Sequence, residues 1–191
     1  MATVQYYVAS TIDGFIADDN DNLDWLLQFG FENFQDDYNR FMADVGAIVM
    51  GSTTYEWIIA EGEPWAYGTT PAWVLTSRGL PEVTGADIRF FQGDVTELHR
   101  QALAAAEGKN VWVVGGGNVA AQFADRGLLD ELLLTVMPII LGSGKSLLPI
   151  GTVTEPLTLV SSTPYPLGAI GLHYRLTGLV DEATPPDTLT P

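Results

Sequence analysis

Three consecutive glycines, Gly115, Gly116 and Gly117, stand between the apolar run VWVV (111–114) and the helix-like NVAAQF (118–123). Glycine inside an element costs roughly 0.5–1 kcal/mol relative to alanine, so a triplet at a junction marks a place where permissive backbone has a use. Gly115-x-Gly117-x-x-Ala120 follows a strand-like run and opens a helix-like one, which fits the glycine pattern of dinucleotide binding. A helix N-terminus offers free amides and a positive dipole end to phosphate, and glycine lets the backbone come close. A tight turn without any ligand satisfies the same pattern. The usual first-unit setting, with an acid about 20 positions on, is missing, because the motif comes after residue 110.

A second junction, Gly51-Ser52-Thr53-Thr54, follows the apolar run AIVM (47–50) and supplies N-cap residues for a helix through about Ile59. Gly142-Ser143-Gly144-Lys145 lacks the full phosphate-loop spacing and reads as a turn. His99 and His173 have no second ligand at metal spacing, so structural roles are expected for both. Trp57, Trp65, Trp73 and Trp112 read as packing residues, with Trp65, in a Pro-flanked loop, open to a cleft role.

The elements that must carry these residues alternate. Strand-like runs lie at 4–10, 47–50, 72–76, 88–92, 111–114 and 132–141, the last interrupted by Pro138. Helical spacing of apolar residues covers Phe31 to Val45, 96–107 and 118–126, and two further strands fit within 157–177. Such alternation predicts one α/β domain with a largely parallel sheet and an antiparallel edge from the C-terminal third. Residues 1–180 form that domain, and 181–191 (DEATPPDTLTP) read as a flexible tail.

Composition excludes whole classes. Eight Lys and Arg against 24 Asp and Glu give a net charge of −16, which opposes nucleic acid and anionic membranes alike. Any bound phosphate must rely on local amides, hydroxyls or single arginines. With no cysteine there is no disulfide, thiolate nucleophile or Cys-based zinc site. The N-terminus lacks a basic leader and no apolar stretch is long enough to span a bilayer, so a cytoplasmic location is the expectation.

Five segments occur in order over about 140 residues: ASTIDGFIA (9–17), AIVMGSTTYE (47–56), WVLTS (73–77), VWVVGGGNVAAQF (111–123) and GLLDELLLTVMPIILGSGKSLLP (127–149). Together they resemble the dihydrofolate reductase-like family, in particular the reductase domain of the bifunctional riboflavin-biosynthesis protein. The resemblance implies a three-layer α/β fold with a mixed, mainly parallel sheet of about eight strands. It implies NADPH as cofactor and hydride transfer to a small pterin-, pyrimidine- or flavin-like heterocycle. It also implies a homodimer. In that family the glycine pair matching Gly115-Gly116 carries a cis peptide beside the nicotinamide. By the same matching, Gly117, Asn118 and Val119 present amides to the pyrophosphate, with Gly51, Ser52, Thr53 and Thr54 at a second helix N-terminus. Ala9 and Ile16 flank the nicotinamide, and Thr76, Ser77 and Arg78 hold the 2′-phosphate. One departure weakens NADPH against NADH: the family usually has arginine where Ser52 stands, leaving Arg78 to compensate.

Reducing a C=N bond also needs a proton, and the family places an acid on its first helix. The comparable stretch is DDYNRF (36–41). At 100° per residue Asp37 lies beside the stripe of Phe34, Tyr38 and Phe41, whereas Asp36 points away. Asp37 is therefore the candidate donor, against the alternative that it simply pairs with Arg40; Asp24, beside Trp25, is a second candidate. Thr135 matches a threonine that supports the acid, or is an ordinary strand residue. Two other function classes stay open. A Rossmann-type alcohol dehydrogenase would need a Tyr-x-x-x-Lys pair, which this chain lacks, and a non-catalytic binding or regulatory module would keep the fold without the chemistry.

Overall fold

β-branched and aromatic runs separated by helices build a layered sheet, as the alternation predicts. The structure, a computed structural model, describes residues 2–60 and 64–177; the expected tail lies outside them. In chain order the elements are β1 Val4–Thr11, β2 Phe15–Ala17, α1 Asp24–Leu27, α2 Gln35–Ala43, β3 Val45–Gly51, α3 Ser52–Ala60, β4 Ala72–Leu75 and β5 Ile88–Phe91. They continue with α4 Val95–Ala105, β6 Asn110–Gly115, α5 Gly117–Ala124, β7 Glu131–Met137, β8 Lys145–Ser146, β9 Thr158–Pro164 and β10 Ile170–Arg175. Eight strands form one sheet in the order β5-β4-β3-β6-β1-β7-β10-β9, and β2 pairs with β8 separately. The first six are mutually parallel; β10 runs antiparallel to β7, and β9 to β10.

The two faces bury different sets because alternate side chains point opposite ways. Val4, Tyr6, Val111 and Val113 pack with Leu98 of α4 and Phe123 of α5 on one face. Ile48, Met50, Val74 and Trp112 pack with Tyr55 of α3, and with Tyr38 and Phe41 of α2, on the other. The three-layer α/β architecture follows from that division.

Several boundaries differ from the sequence expectation, each for a local reason. The expected helix over Phe31 to Val45 shrinks to α2, because Val45 opens β3 and Phe31, 58 % exposed, precedes the helix. Ser52, Thr53 and Thr54 are not caps: β3 runs straight into α3, and these residues form its first turn. Asp94 caps α4 instead, its carboxylate accepting the Thr96 amide at 2.8 Å. β7 stops at Met137, since Pro138 has no N–H to continue the ladder. Short α1 and the β2–β8 pair carry no periodicity long enough to read.

Candidate active site

β3 and β6 are neighbours in the sheet, yet the helices that follow them lie on opposite faces: α3 packs with Met50 and Trp112, α5 with Val113 and Val4. The chain therefore parts at the carboxyl ends of these two strands, and parting loops of this kind leave a ligand crevice in open α/β sheets. Gly51 and the glycine turn meet there. A Cβ on Gly51 would lie 3.2 Å from Val119 Cγ2, and one on Gly115 would lie 3.2 Å from the Thr54 hydroxyl. The Gly115–Gly116 peptide is cis, as the resemblance implies.

The amides of the glycine turn divide their work. Val119 and Ala120 donate to the Gly116 carbonyl at 2.9 and 3.3 Å, so the Val119 amide is already engaged in the structure. Gly117 and Asn118, the first two residues of α5, have no carbonyl behind them within the helix to accept their amides. Gly117 has a second reason to be glycine: a Cβ there would come 2.2 Å from the Ser146 carbonyl oxygen and 2.8 Å from that of Leu147. The two amides at the start of α5 are thus donors of the kind that a phosphate group needs, and Ser52 and Thr53 stand at the start of α3.

The next corner along the same edge, after β4, holds Thr76, Ser77 and Arg78. The Thr76 hydroxyl accepts the Arg78 amide at 3.0 Å, shaping the turn. The Arg78 guanidinium is engaged in a two-pronged pair with Glu56 of α3, Nη1 to Oε1 at 3.1 Å and Nη2 to Oε2 at 2.6 Å. This arginine is one of a pattern. Seven of the eight Lys and Arg side chains lie within ion-pair distance of a carboxylate, and the eighth, Lys109, donates to the Ala43 carbonyl.

On the other side of the crevice, β1 and β7 floor two adjoining cavities. One, of about 280 Å³, is largely apolar: Ala9, Thr135 and Met137 form its floor, with Phe31, Phe34 and Tyr38 above. The second, of about 330 Å³, is the more polar of the two, with a mixed lining, and runs between α2 and β10, past Asp37, Arg40, Tyr165 and His173. Tyr7 and Thr135 line both. In register, Ala9 pairs with Thr135 and Thr135 with Gly171, so one row crosses the floor. Gly171 leaves space for the Tyr165 ring, which a Cβ at 171 would meet at 2.8 Å.

Asp37 sits in the polar cavity, while Asp36 is exposed, as the helical geometry predicts. Its two oxygens are taken by different donors, Oδ1 by Arg40 and Oδ2 by the Tyr165 hydroxyl. Burial is the main reason the Tyr165 phenol is held above its ordinary pKa, so it remains a proton donor at neutral pH. Thr135 faces the same cavity but is not among the donors to Asp37. Asp24 lies exposed at the start of α1 and lines neither cavity; it bonds Asn22 at 3.1 Å.

Asp13, after β1, ties the loop carrying Ile16 to the segment after β7. Its carboxylate accepts the Thr11 hydroxyl at 2.6 Å and the Gly142 amide at 2.7 Å, and these bonds, the hydroxyl foremost, hold its carboxyl at about 2. Among the remaining candidates, Trp65 packs on Tyr55 and Tyr67 within the core and lines neither cavity. His99 lies edge-on to Phe123, and no group of metal-ligating side chains occurs among the described residues. No described helix is long and apolar enough to cross a membrane. Sequence reasoning assigned no role to Glu56 or Tyr165, and no local pattern marks either pairing.

The model of the RibD C-terminal domain matches residues 64–170. The chain belongs to the RibD C-terminal domain family. Its relatives include YwjB of Bacillus subtilis, 29 % identical over 168 residues, covering 88 % of this chain and 94 % of YwjB. Among solved structures it is similar to a putative riboflavin biosynthesis protein from Shewanella sp. PV-4, at 25 % identity and a TM-score of 0.77, covering 92 % and 99 % of the two chains. Dihydrofolate reductase from Enterococcus faecalis, solved with NADP(H), shares the fold at 18 % identity and a TM-score of 0.61, covering 92 % of this chain and 96 % of that one. Membership of the RibD C-terminal domain family and the dihydrofolate reductase-like fold support a reductase-type role.

Proposed function

We propose that the protein is a nicotinamide dinucleotide-dependent reductase of a small pterin-, pyrimidine- or flavin-like heterocycle. The observation that carries this reading is an adjacency. The crevice between β3 and β6, with its glycine turn and two uncommitted amides, lies next to β1, whose Ala9 floors the apolar cavity. A bound dinucleotide supplies the hydride, and the chain's own residues do the rest. Gly117 and Asn118 amides with the Ser52 and Thr53 hydroxyls receive phosphate. Phe31, Phe34 and Tyr38 enclose a flat ring and exclude water from it, which lowers the local dielectric around a reacting C=N bond.

Proton delivery falls to the polar side of Thr135. There the Tyr165 hydroxyl and Asp37 form a hydrogen-bonded pair, with Arg40 compensating the carboxylate. A phosphorylated substrate is disfavoured, because no Lys or Arg stands free of a protein partner to receive its phosphate. The same closed network around Asp37 favours a second reading, a module that binds dinucleotide without reducing anything.

Titration of the purified protein with NADPH and with NADH, followed by tryptophan quenching, tests the proposal. Micromolar binding of either cofactor supports it, and absence of binding by both refutes it. Loss of 340 nm absorbance with a panel of oxidised pterins, flavins and dihydrofolate then separates a reductase from a binding module.

A further inference from the structure

The apolar cavity takes a flat ring and leaves its larger neighbour without an occupant. Tyr7 and Thr135 line both, so a molecule seated in the first enters the second with whatever it carries beyond Thr135. Strand register gives the direction. Ala9, Thr135, Gly171 and Thr163 are successive partners across β1, β7, β10 and β9, and Tyr7, Leu133, His173 and Ser161 form the next row. At about 4.8 Å per strand, these rows run about 14 Å from the ring site to the edge of the sheet. Asp37, Arg40 and Phe41 of α2 wall the near end, and every residue of β9 at the far end is exposed.

Both donors and acceptors line this shelf. Gln5 donates through Nε2 to the Glu131 carboxylate at 2.8 Å, which leaves its own carbonyl oxygen as an acceptor. The Asn110 carbonyl accepts the Thr3 amide and hydroxyl at 3.0 and 3.1 Å, which leaves its amino group as a donor. The hydroxyls of Thr135, Ser161 and Thr163 have no partner among the described residues, and a hydroxyl gives and takes alike. Charge is scarce by comparison: Asp37 and Asp44 stand against Arg40, whose guanidinium Asp37 already holds.

That lining sorts possible occupants. An anionic tail would meet more carboxylate than cation and go unpaired. A cation would find both oxygens of Asp37 bonded and Asp44 exposed to solvent. A hydrocarbon tail would strip water from the polar groups and return no hydrogen bonds. A chain of hydroxyls satisfies donors and acceptors together, because each of its groups is both.

We propose that the cavity between α2 and β10 binds an uncharged, polyhydroxylated substituent carried by the heterocycle, and turns away a phosphorylated or carboxylated one. The proposal rests on the heterocycle reading above and narrows it to a class of substrate, a flat ring bearing a neutral polyol.

Isothermal titration calorimetry of the whole protein, with and without NADP⁺, tests it with two series of probes. Lumiflavin, riboflavin and flavin mononucleotide form one; 6-methylpterin, neopterin and folate form the other. Within each, a methyl group gives way to a polyol and then to an anionic tail. In a series whose ring binds, the polyol member is expected to bind about tenfold more tightly than either of the others. Binding of the methyl or the anionic member as tight as that of the polyol overturns the proposal. The double variant Ser161→Ala/Thr163→Val, altered only on the exposed strand, should weaken the polyol about fivefold and leave the methyl member unchanged. Ser161→Lys should strengthen the anionic member severalfold. A polyol advantage that survives the double variant intact puts the tail elsewhere and also overturns the proposal. Failure of every ring in both series to bind refutes the heterocycle reading itself, a distinguishable result.

Discussion

Replacing Gly117 with alanine separates the two reasons for glycine at this turn. In an ordinary helix the change would stabilise by about 1 kcal/mol, because alanine is the better helix former. Here the new methyl would stand 2.2 Å from the Ser146 carbonyl oxygen and 2.8 Å from that of Leu147. An ordinary carbon–oxygen contact is about 3.3 Å, so either the start of α5 or the strand β8 must move by about 1 Å. Both obstacles are backbone, and neither can turn away as a side-chain tip would. Overpacking of this kind costs about 3 kcal/mol at the upper end of its usual range, leaving a net loss near 2 kcal/mol after the helix gain. For a chain of this size that corresponds to a melting temperature lower by about 4–8 °C. Differential scanning calorimetry reads it directly. An unchanged or raised melting temperature would refute the packing argument and leave close approach to a ligand as the reason for this glycine.

Other consequences are equally concrete. Tyr165→Phe removes the donor to Asp37 Oδ2 and should lower stability by about 1–2 kcal/mol, measured by urea unfolding, while Tyr165→Trp should fail to fit over Gly171 and cost more. Asp13 has its pKa lowered on folding, so the bonds it accepts are fully present above the unfolded value near 3.8 and are lost as pH falls through about 2. Exchange protection of the Leu141 and Gly142 amides should vanish across that window, and in Asp13→Asn it should already be reduced at neutral pH. The stretch 156–172 carries no charged residue and includes the edge strand β9, so a homodimer should form through it; light scattering should then show Ser162→Lys to be monomeric.

The strands were legible because runs such as AIVM and VWVV are apolar and β-branched, and the crevice was legible because two of those runs end in glycine. What escaped reading was whatever depends on segments far apart in the chain. Tyr165 reaches Asp37 across 128 residues, and nothing near either marks the pairing. Glu56 and Arg78 were both in view, one in TTYE and one after WVLT, but the ion pair between them exists only because β3 and β4 are adjacent and parallel. Gly117 matched a ligand pattern, while its contact with Ser146 depends on a β-bridge too short to predict. The stripe on α2 showed its face correctly and its function incompletely: Phe41 packs on Tyr7 and Trp112 and lines the cavity of Asp37, while Phe34, just before the helix, walls the apolar one.

The pairing of nearly every cation with a carboxylate also shapes the protein's behaviour at a distance. A neutralised pair has little field beyond a few ångströms, so what an approaching molecule meets is the excess of acid. An anionic dinucleotide is therefore repelled until it comes within contact range of the amides at the crevice. At 0.1 M ionic strength the Debye length is about 10 Å, and that repulsion is largely screened. Added salt should thus quicken capture of an anionic dinucleotide rather than slow it, the reverse of a protein that attracts anions with a basic surface.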